Sequence, residues 1–483
     1  MTRPATAADN SSRPEVLGAM LDRMRAAQRR EGPPDLALRR DRLERAMALL
    51  RDNRAAICEA LASDFGHRSH DQSLLTDIVS ALEPLKVAHR RVGAWMRPQR
   101  RRPRFPLGLL GARAEVQFQP LGVVGVISPW NFPVQLIFAP LAGILSAGNR
   151  AMIKPSEYTP ATSELLRELI AGAFAPEEVQ VVTGGVGTAA AFSALPFDHL
   201  LFTGSGAVGR KVMAAAAANL VPVTLELGGK SPVIISPEAD MARAATRIMA
   251  GKLLNAGQIC LAPDYVLVPR GREEAFADAA AAAVRGMYPT LRDNPDYTAI
   301  IHEGHAERLQ GLIEDAAARG ARLVTLNPAG EDLSQQPHRK MAPVLILDPT
   351  PEMAVMQEEI FGPVLPVLGV SDTDAAIAHV AAGPRPLALY WFGHDRAERA
   401  KVLRHTVSGG VTINDVVMHV AQEDLPFGGV GASGMGRYHG RDGFVTFSNT
   451  RAVFTQGRAD PGRPLRPPYG ARLRRALDWM ARR

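Results

Sequence analysis

The sequence is poor in cysteine and lacks long apolar runs. Only Cys58 and Cys260 occur among 483 residues, which excludes a disulfide framework and indicates a reduced, intracellular protein. No run reaches the roughly 18 consecutive apolar residues of a membrane span, and the first residues lack the apolar stretch of a signal peptide. We therefore expect a cytoplasmic protein without a transmembrane segment, in which Cys58 is a small buried hydrophobic residue of a helix.

The spacing of the histidines argues against a metal site. The twelve histidines include no H-x-x-x-H or H-E-x-x-H pair. Two pairs, His67 with His70 and His302 with His305, lie three residues apart, but neither has a cysteine nearby. We expect no bound metal.

The net charge of +7 comes from two basic segments. Residues 457–483 hold eight Arg and two Asp, and residues 97–104 hold five Arg and no acid. The rest of the chain is therefore net negative. No nucleic-acid reader motif accompanies the two basic segments, so we expect solvated or interface charge and no nucleic-acid partner. Weak binding to an anionic surface is the alternative.

A chain of this length, 46% hydrophobic, indicates two or three domains. Residues 1–35 are predicted to be poorly structured at first and helical from about Glu15. Helical periodicity follows at 39–63 and 70–95. Residues 97–106 are predicted to form an exposed connection. Residues 114–119 alternate polar and apolar side chains, as in a half-exposed strand that needs an edge partner.

From residue 121 the pattern is that of alternating strands and helices. Near-continuous apolar runs predict strands of a parallel sheet covered on both faces. These strands are predicted at 121–128, 151–153, 179–183, 199–203 and 222–227, with helices at 161–174, 188–195 and 208–219. A second α/β unit is predicted from strands at 233–236, 265–268, 322–324, 364–370 and 388–393 and helices at 242–255, 273–286, 303–319 and 375–381.

The C-terminal region differs in composition. Residues 424–436 are dense in glycine and lie near a β-like run at 445–447. The proline-rich residues 457–468 are predicted to wrap a surface, and residues 472–483 to form a short basic helix.

A glycine-rich turn indicates a phosphate site. Gly204, Gly206 and Gly209 form G-x-G-x-x-G between a predicted strand and helix, and Glu226 lies 22 positions after Gly204. This fits a dinucleotide fingerprint with Glu226 on a ribose hydroxyl. A strand-to-helix turn without a ligand is equally compatible with the pattern.

The scarce Cys260 is a candidate nucleophile, because it lies in a Gly-Gln-x-Cys turn between a helical and a β-like run. Other polar residues suited to thiol chemistry are Asn131 in P-W-N-F-P, Glu226 in L-E-L-G-G-K and Lys154 in I-K-P-S-E. Taken singly, the cysteine could be a buried thiol, Asn131 a helix cap and Glu226 a buried ion-pair partner.

Taken together, the motifs resemble the aldehyde dehydrogenase superfamily. They are S-P-W-N-F-P (128–133), A-M-I-K-P-S-E (151–157), F-T-G-S (202–205), L-E-L-G-G-K-S-P (225–232), N-A-G-Q-I-C (255–260), E-E-I-F-G-P (358–363) and P-F-G-G-V-G-A-S-G-M-G (426–436). C-L-A-P-D-Y-V (260–266) and Y-H-G-R-D-G-F-V-T-F-S (438–448) resemble the class 3 branch.

The resemblance implies an α/β fold with a Rossmann-like cofactor domain, an α/β catalytic domain and a small β oligomerisation arm. The expected boundaries are 1–104 with 121–227 for the cofactor domain, 228–416 for the catalytic domain, 105–120 with 417–456 for the arm and C-terminal region, and 457–483 for the basic tail. A homodimer that shares the arm is expected.

The same resemblance assigns roles to individual residues. Cys260 is the expected nucleophile and Glu226 the general base, whereas the Asn131 amide and the Cys260 N–H stabilise the oxyanion. The expected cofactor residues are Lys154 and Glu157 at the adenosine ribose, Gly204, Ser205 and Gly209 at the pyrophosphate, Glu359 at the nicotinamide ribose and Phe361 at the nicotinamide. Glu157 favours NAD as the cofactor, and NADP is the alternative. Gly206 departs from the family, where a side chain is frequent.

The expected reaction is NAD(P)-dependent oxidation of an aldehyde to a carboxylic acid through a cysteine thiohemiacetal and a thioester. An aromatic substrate is favoured, with coniferaldehyde converted to ferulate. A medium-chain aliphatic aldehyde is the alternative within the family. A catalytically silent binding protein on the same scaffold is the alternative of another class.

Overall fold

A computed structural model describes residues 13–460 and 462–482. The predicted poorly structured start of the chain, residues 1–12, lies outside the described residues. None of the helices in the described ranges has the length and apolar character needed to cross a membrane.

The helices are, in chain order, α1 (Pro14–Glu31), α2 (Leu36–Asp52), α3 (Arg54–Phe65), α4 (His70–Ser73), α5 (Ser80–Trp95), α6 (Gln135–Ala147), α7 (Pro160–Ala173), α8 (Val186–Ser193), α9 (Gly206–Ala217), α10 (Met241–Leu253), α11 (Glu273–Met287), α12 (Glu303–Ala318), α13 (Ala354–Gln357), α14 (Thr373–Ala382), α15 (Arg396–His405), α16 (Gly440–Thr446) and α17 (Ala471–Ala481). A π-helical turn, Leu74–Val79, joins α4 to α5, and a 3-10 turn, Leu254–Gly257, follows α10.

The strands are β1 (Gln99–Arg101), β2 (Arg113–Pro120), β3 (Val123–Ile127), β4 (Arg150–Lys154), β5 (Val179–Val181), β6 (His199–Gly204), β7 (Val223–Leu227), β8 (Pro232–Ile235), β9 (Tyr265–Pro269), β10 (Arg322–Thr325), β11 (Val344–Leu347), β12 (Val364–Val370), β13 (Ala388–Phe392), β14 (Gly410–Ile413), β15 (Gly434–Met435) and β16 (Ser448–Thr455).

The first sheet has the order β15-β7-β6-β3-β4-β5 and is parallel except for β15. Strands β3 and β4 are buried along their whole length, as expected for a parallel sheet covered on both faces. At the ends of β3 and β4, Ile127 lies opposite Lys154. Near the ends of β6 and β7, Thr203 lies opposite Glu226. The carboxyl ends of β3, β4, β6 and β7 therefore meet at one edge. The predicted βαβ arrangement is confirmed.

The second sheet has the order β10-β11-β12-β9-β8-β13-β14. Only β10 runs antiparallel to its neighbour. Strands β8, β11 and β13 are buried throughout. The predicted second α/β unit is confirmed, although β11, β14 and α15 were not predicted.

The third sheet is small and antiparallel, with the order β1-β2-β16. The prediction that residues 97–106 form only a connection is wrong, since β1 pairs with β2. An outer strand can carry consecutive arginines because its side chains point into solvent. The predicted strand at 114–119 is confirmed as part of β2. Its edge partners come from the same chain, because β16 pairs with one edge along the whole strand and β1 pairs with the other edge at residues 114–116.

One further prediction was wrong at an element boundary, and another was confirmed as helix but is interrupted once. The β-like run at 445–447 lies at the end of α16, where Phe444 and Phe447 are buried, and the strand begins only at Ser448. A short apolar run does not by itself distinguish a buried helix from a strand. The helical pattern at 39–63 is two helices that meet at Asn53, whose side chain bonds the Leu49 carbonyl. Cys58 is buried in α3, as predicted.

Helices α2, α5 and α6 pack on one another beside the first sheet. Twelve residues of α6 are buried, all apolar or small. The predicted basic C-terminal helix is confirmed as α17, in which no residue is buried among those described.

Candidate functional site

The predicted site residues come from two facing sets of loops. Asn131, Lys154, Gly204 and Glu226 lie at the carboxyl edge of the first sheet. Residues 260, 359 and 361 lie in segments that lead into β9 and β12 of the second sheet. A crevice at the carboxyl ends of parallel strands is where α/β folds bind ligands.

The loop that carries Cys260 is held by Gln258. The Gln258 side chain donates to the carbonyls of Asn255 at 2.9 Å and Ala299 at 3.1 Å, and accepts from the Ile301 amide at 3.0 Å. Asn255 has a φ of 52°, which is uncommon for a residue other than glycine and persists only where its surroundings fix it. These bonds present Cys260, which is partly exposed, at a fixed position.

The Cys260 thiol holds its proton strongly. Burial raises its pKa to about 12, and the negative charges of Glu359 and Glu226 add to the shift. The backbone N–H groups of Cys260 and Leu261 act in the opposite direction. Because the thiolate is the nucleophile, this cysteine needs a proton acceptor before it can attack a carbonyl carbon.

Glu226 is a buried carboxyl group, 3% exposed, in the strand β7. Neither of its carboxylate oxygens has a hydrogen-bond partner among the described residues. Burial raises its pKa well above 4.5, against the opposing effects of Arg437 and the Gly429 amide. A Cβ atom at Gly428 would lie 2.9 Å from Glu226 Oε1, so glycine at that position leaves the carboxylate room.

The structure brings Asn131 to the cysteine loop. Its Nδ2 donates to the Gln258 carbonyl at 3.1 Å. An amide nitrogen carries two N–H groups, so one remains to donate elsewhere. The backbone carbonyl of Asn131 accepts hydrogen bonds from Asn255 Nδ2 and from Arg68 Nη1, each at 3.1 Å. Asn131 is not a helix cap, because the residue that precedes α6 is Val134.

The predicted phosphate loop forms the start of α9. Ser205 caps this helix by accepting from the Val208 amide at 3.4 Å. Gly209 is buried, and a Cβ atom there would lie 2.7 Å from Leu227 Cδ2. Nearby in the same sheet, the buried Lys154 donates from Nζ to Glu157 Oε2 at 2.7 Å. The free N–H groups of a helix N-terminus favour an anionic group.

Glu359 and Phe361 lie on the other side of the crevice. Glu359 Oε1 is buried without a partner in the described part of the chain. Burial, and then the charge of Asp264, raise the pKa of Glu359 to about 8. The Phe361 ring packs edge-on against Trp130, with 5.3 Å between ring centroids.

Sequence reasoning missed several residues that hold these loops. Lys230 pairs with Asp264 and donates to the carbonyls of Val355 at 2.7 Å and Glu358 at 3.0 Å. Tyr390 donates to the Leu261 carbonyl at 2.6 Å, directly after the cysteine. Lys230 and Asp264 lie within quoted motifs and could have been considered, whereas Tyr390 has no such signal.

Comparison with known proteins identifies the family. The sequence model of the aldehyde dehydrogenase family matches residues 6–453. The chain is 58% identical over 466 residues to a protein of Caulobacter vibrioides named probable coniferyl aldehyde dehydrogenase, and the match covers 96% of both chains. It is 53% identical over 467 residues to the coniferyl aldehyde dehydrogenase of a Pseudomonas species, again over 96% of both.

A solved structure agrees with these matches. The substrate-bound Staphylococcus aureus AldH is 36% identical and superposes with a TM-score of 0.89, over 96% of this chain and 99% of that one. The expected α/β fold is thereby confirmed. The chain belongs to the aldehyde dehydrogenase family and is an NAD(P)-dependent aldehyde dehydrogenase.

Proposed function

We propose that this enzyme oxidises coniferaldehyde to ferulate through a covalent bond to Cys260. The overall reaction converts the aldehyde, water and oxidised cofactor into the carboxylate, reduced cofactor and two protons. The single observation that carries the mechanism is the shared location of the Cys260 thiol, the unpaired Glu226 carboxylate and the Asn131 amide. The names of the two relatives support the aromatic substrate.

In the first step Glu226 accepts the proton of the Cys260 thiol, directly or through one water. The thiolate then forms a bond to the aldehyde carbon, and the carbonyl electron pair moves onto the oxygen. The remaining N–H of the Asn131 amide and the backbone N–H of Cys260 would donate to this oxyanion. Removing one such donor typically lowers turnover by about 10²–10³.

The expected cofactor residues fit a dinucleotide. The N-terminus of α9 suits the pyrophosphate, with Gly204, Ser205 and Gly209 at its base. Lys154 and Glu157 would hold the adenosine ribose, and the unpartnered Glu359 oxygen would accept from the nicotinamide ribose. Phe361 would contact the nicotinamide. A nicotinamide bound there would supply the acceptor for the hydride of the thiohemiacetal carbon.

Loss of that hydride leaves a thioester on Cys260, which water must hydrolyse. Glu226 has given its first proton to solvent by then and can accept one from the attacking water. A carboxyl group with a raised pKa is well matched to this task near neutral pH. The product acid leaves and Cys260 regains its proton.

The carboxylate of Glu157 would repel a 2′-phosphate, which favours NAD. We further propose that residues 1–104 with 121–227 bind the cofactor, apart from β1, which pairs with β2 in the third sheet. Residues 228–416 would supply the nucleophile, and the third sheet with the C-terminal region would be an oligomerisation arm. The exposed edge strand β16 supports a homodimer built on this arm.

The test is to follow reduced cofactor with purified protein, using coniferaldehyde and octanal in turn with NAD and with NADP. We expect fast reduction of NAD with coniferaldehyde and slow reduction with octanal. A preference for octanal would keep the cysteine mechanism and replace the substrate by an aliphatic aldehyde. A preference for NADP would overturn the proposed effect of Glu157.

A further inference from the structure

We propose that Arg68, bridged to Asp77, is a positioning residue that places the Asn131 amide for oxyanion stabilisation. This inference rests on the proposed function of Asn131. Neither Arg68 nor Asp77 belongs to the motifs by which the site was predicted. Both lie in the N-terminal helical region, outside the two sheets that carry the catalytic residues.

The two side chains form an ion pair that is wholly removed from solvent. Arg68 Nη2 lies 2.6 Å from Asp77 Oδ2, and both side chains are 0% exposed. A buried ion pair gains little net stability, because desolvation offsets most of the attraction between the charges. Such a pair is therefore better explained by the groups it holds in place than by its own energy.

The guanidinium group joins Asp77 to the Asn131 backbone. While Nη2 bonds Asp77, Nη1 donates to the Asn131 carbonyl at 3.1 Å. The rings of Phe65 and Phe132 lie 4.7 and 5.2 Å from the Arg68 Cζ atom. The planar fork of arginine can bond two acceptors in fixed directions, which a lysine cannot do.

Asp77 holds the same segment from its other end. Its Oδ1 accepts from the Val134 amide at 3.1 Å and the Gln135 amide at 3.3 Å. It thus caps α6, which has no side-chain cap of its own. Because Asp77 lies in the π-helical turn Leu74–Val79, that irregular turn aims the carboxylate at the start of α6.

Asn131 is therefore fixed from several directions. Arg68 holds its carbonyl, Asp77 holds the amides three and four residues later, and Asn255 bonds the same carbonyl from the cysteine loop. A displacement of about 1 Å in a catalytic group can lower turnover by about 10²-fold. Weakening the Arg68 contact should therefore lower the rate of the chemical step and leave the cofactor site unchanged.

A double-mutant cycle separates positioning from a general structural role. We would prepare Arg68→Lys, Asn131→Ala and the double variant. Arg68→Lys should lower kcat by about 10–10²-fold with little change in KM or in the NAD dissociation constant. In the Asn131→Ala background the same change should cause no further loss of kcat, since the group that it positions is gone. Losses that multiply in the double variant would overturn the proposal.

The alkylation rate of Cys260 with iodoacetamide provides a second readout. This reaction forms no oxyanion, so Arg68→Lys should leave it unchanged, and a parallel fall in alkylation and turnover would also overturn the proposal. If Arg68→Lys does not fold, Asp77→Asn enters the same cycle with the same expectations. Full activity of Asn131→Ala alone would instead overturn the role of Asn131, and full activity of Cys260→Ala would overturn the proposed function itself.

Discussion

Burial keeps protons on both reacting groups of the site, because it raises the pKa of the Cys260 thiol and of the Glu226 carboxyl. The base form of Glu226 is its carboxylate, which becomes populated as the pH rises through its raised pKa. We therefore expect kcat/KM to rise with pH on the acid side. Glu226→Gln should lower kcat by about 10²–10⁴-fold and remove this rise, as measured from pH 5 to 9. Loss of NAD affinity with normal turnover would instead assign Glu226 to the ribose.

The two cysteines form a matched pair for testing the nucleophile. Cys260→Ala should abolish aldehyde oxidation, because no other thiol lies at the crevice, and should leave NAD binding nearly unchanged in a fluorescence titration. Cys58 is a buried residue of α3. The Cys58→Ala variant should therefore retain turnover and lose only some stability. Normal turnover in Cys260→Ala would disprove the assignment.

Residues within motifs were predictable and residues that support them were not. Asn131, Glu226 and Cys260 could be identified because each lies in a short segment with a typical sequence. Arg68 lies in the short loop between α3 and α4, and Asp77 lies in the π-helical turn after α4. Neither segment has a typical sequence, and charged residues are expected on the surface. Their burial depends on a pairing across the tertiary structure, which single-sequence patterns do not contain.

The glycines of the phosphate loop differ in whether the surrounding atoms leave room for a side chain. Gly206 is the first residue of α9, and a Cβ atom there would meet only Arg210 Nη1 at 4.0 Å. Gly206→Ala should therefore stabilise the protein by about 0.4–1 kcal/mol. A Cβ atom at Gly209 would press on Leu227, so Gly209→Ala should destabilise it by about 1–3 kcal/mol. Urea unfolding of the two variants measures both effects, and equal shifts would contradict this explanation.

Helices and strands were predictable where their apolar residues recur with a regular period or form a short run between turn residues. The parallel strands were located because each is a short apolar segment between turn residues. Helix α6 was missed since it is apolar all round and contains Pro140, which leaves no amphipathic period to detect. Strand β1 was missed because its arginines resemble an exposed loop.

At the scale of the whole molecule, the proposed homodimer depends on the exposed edge of β16. Phe454 on this strand is 52% exposed, and an unpaired edge with an exposed ring favours association. Phe454→Asp should shift the mass measured by light scattering from dimer towards monomer. Leu220→Asp, at a residue that is 91% exposed but outside any strand, should leave the mass unchanged. A wild-type monomer would contradict the proposal directly.

The way in which the two large sheets pack against each other was not predictable from the residues alone. Strand runs indicated two α/β units, but which loops meet across the crevice depends on how the units pack. Only the resemblance to a known family assigned Glu359, at the nicotinamide ribose, to the same site as Cys260. In the structure the charge of Glu359 acts on that thiol.

Buried histidines should make the whole protein sensitive to acid. Burial lowers the pKa of His199, His305, His419 and His439 to about 4. The unfolded chain protonates its histidines from about pH 6.5, so between pH 6.5 and 4 it binds more protons than the folded protein. Stability is therefore complete above pH 6.5 and falls as the pH decreases.

His439 allows this effect to be measured at one position. Neither of its ring nitrogens has a partner among the described residues, and it stacks on Phe427 at 5.2 Å between centroids. His439→Phe keeps an aromatic ring there but cannot take up a proton. The loss of unfolding free energy between pH 7 and 5 should be smaller in this variant by about 2 kcal/mol, as determined from urea unfolding at each pH. His405→Phe, at an exposed position, is the control. An equal loss in His439→Phe and wild type would show that His439 does not titrate as its burial requires.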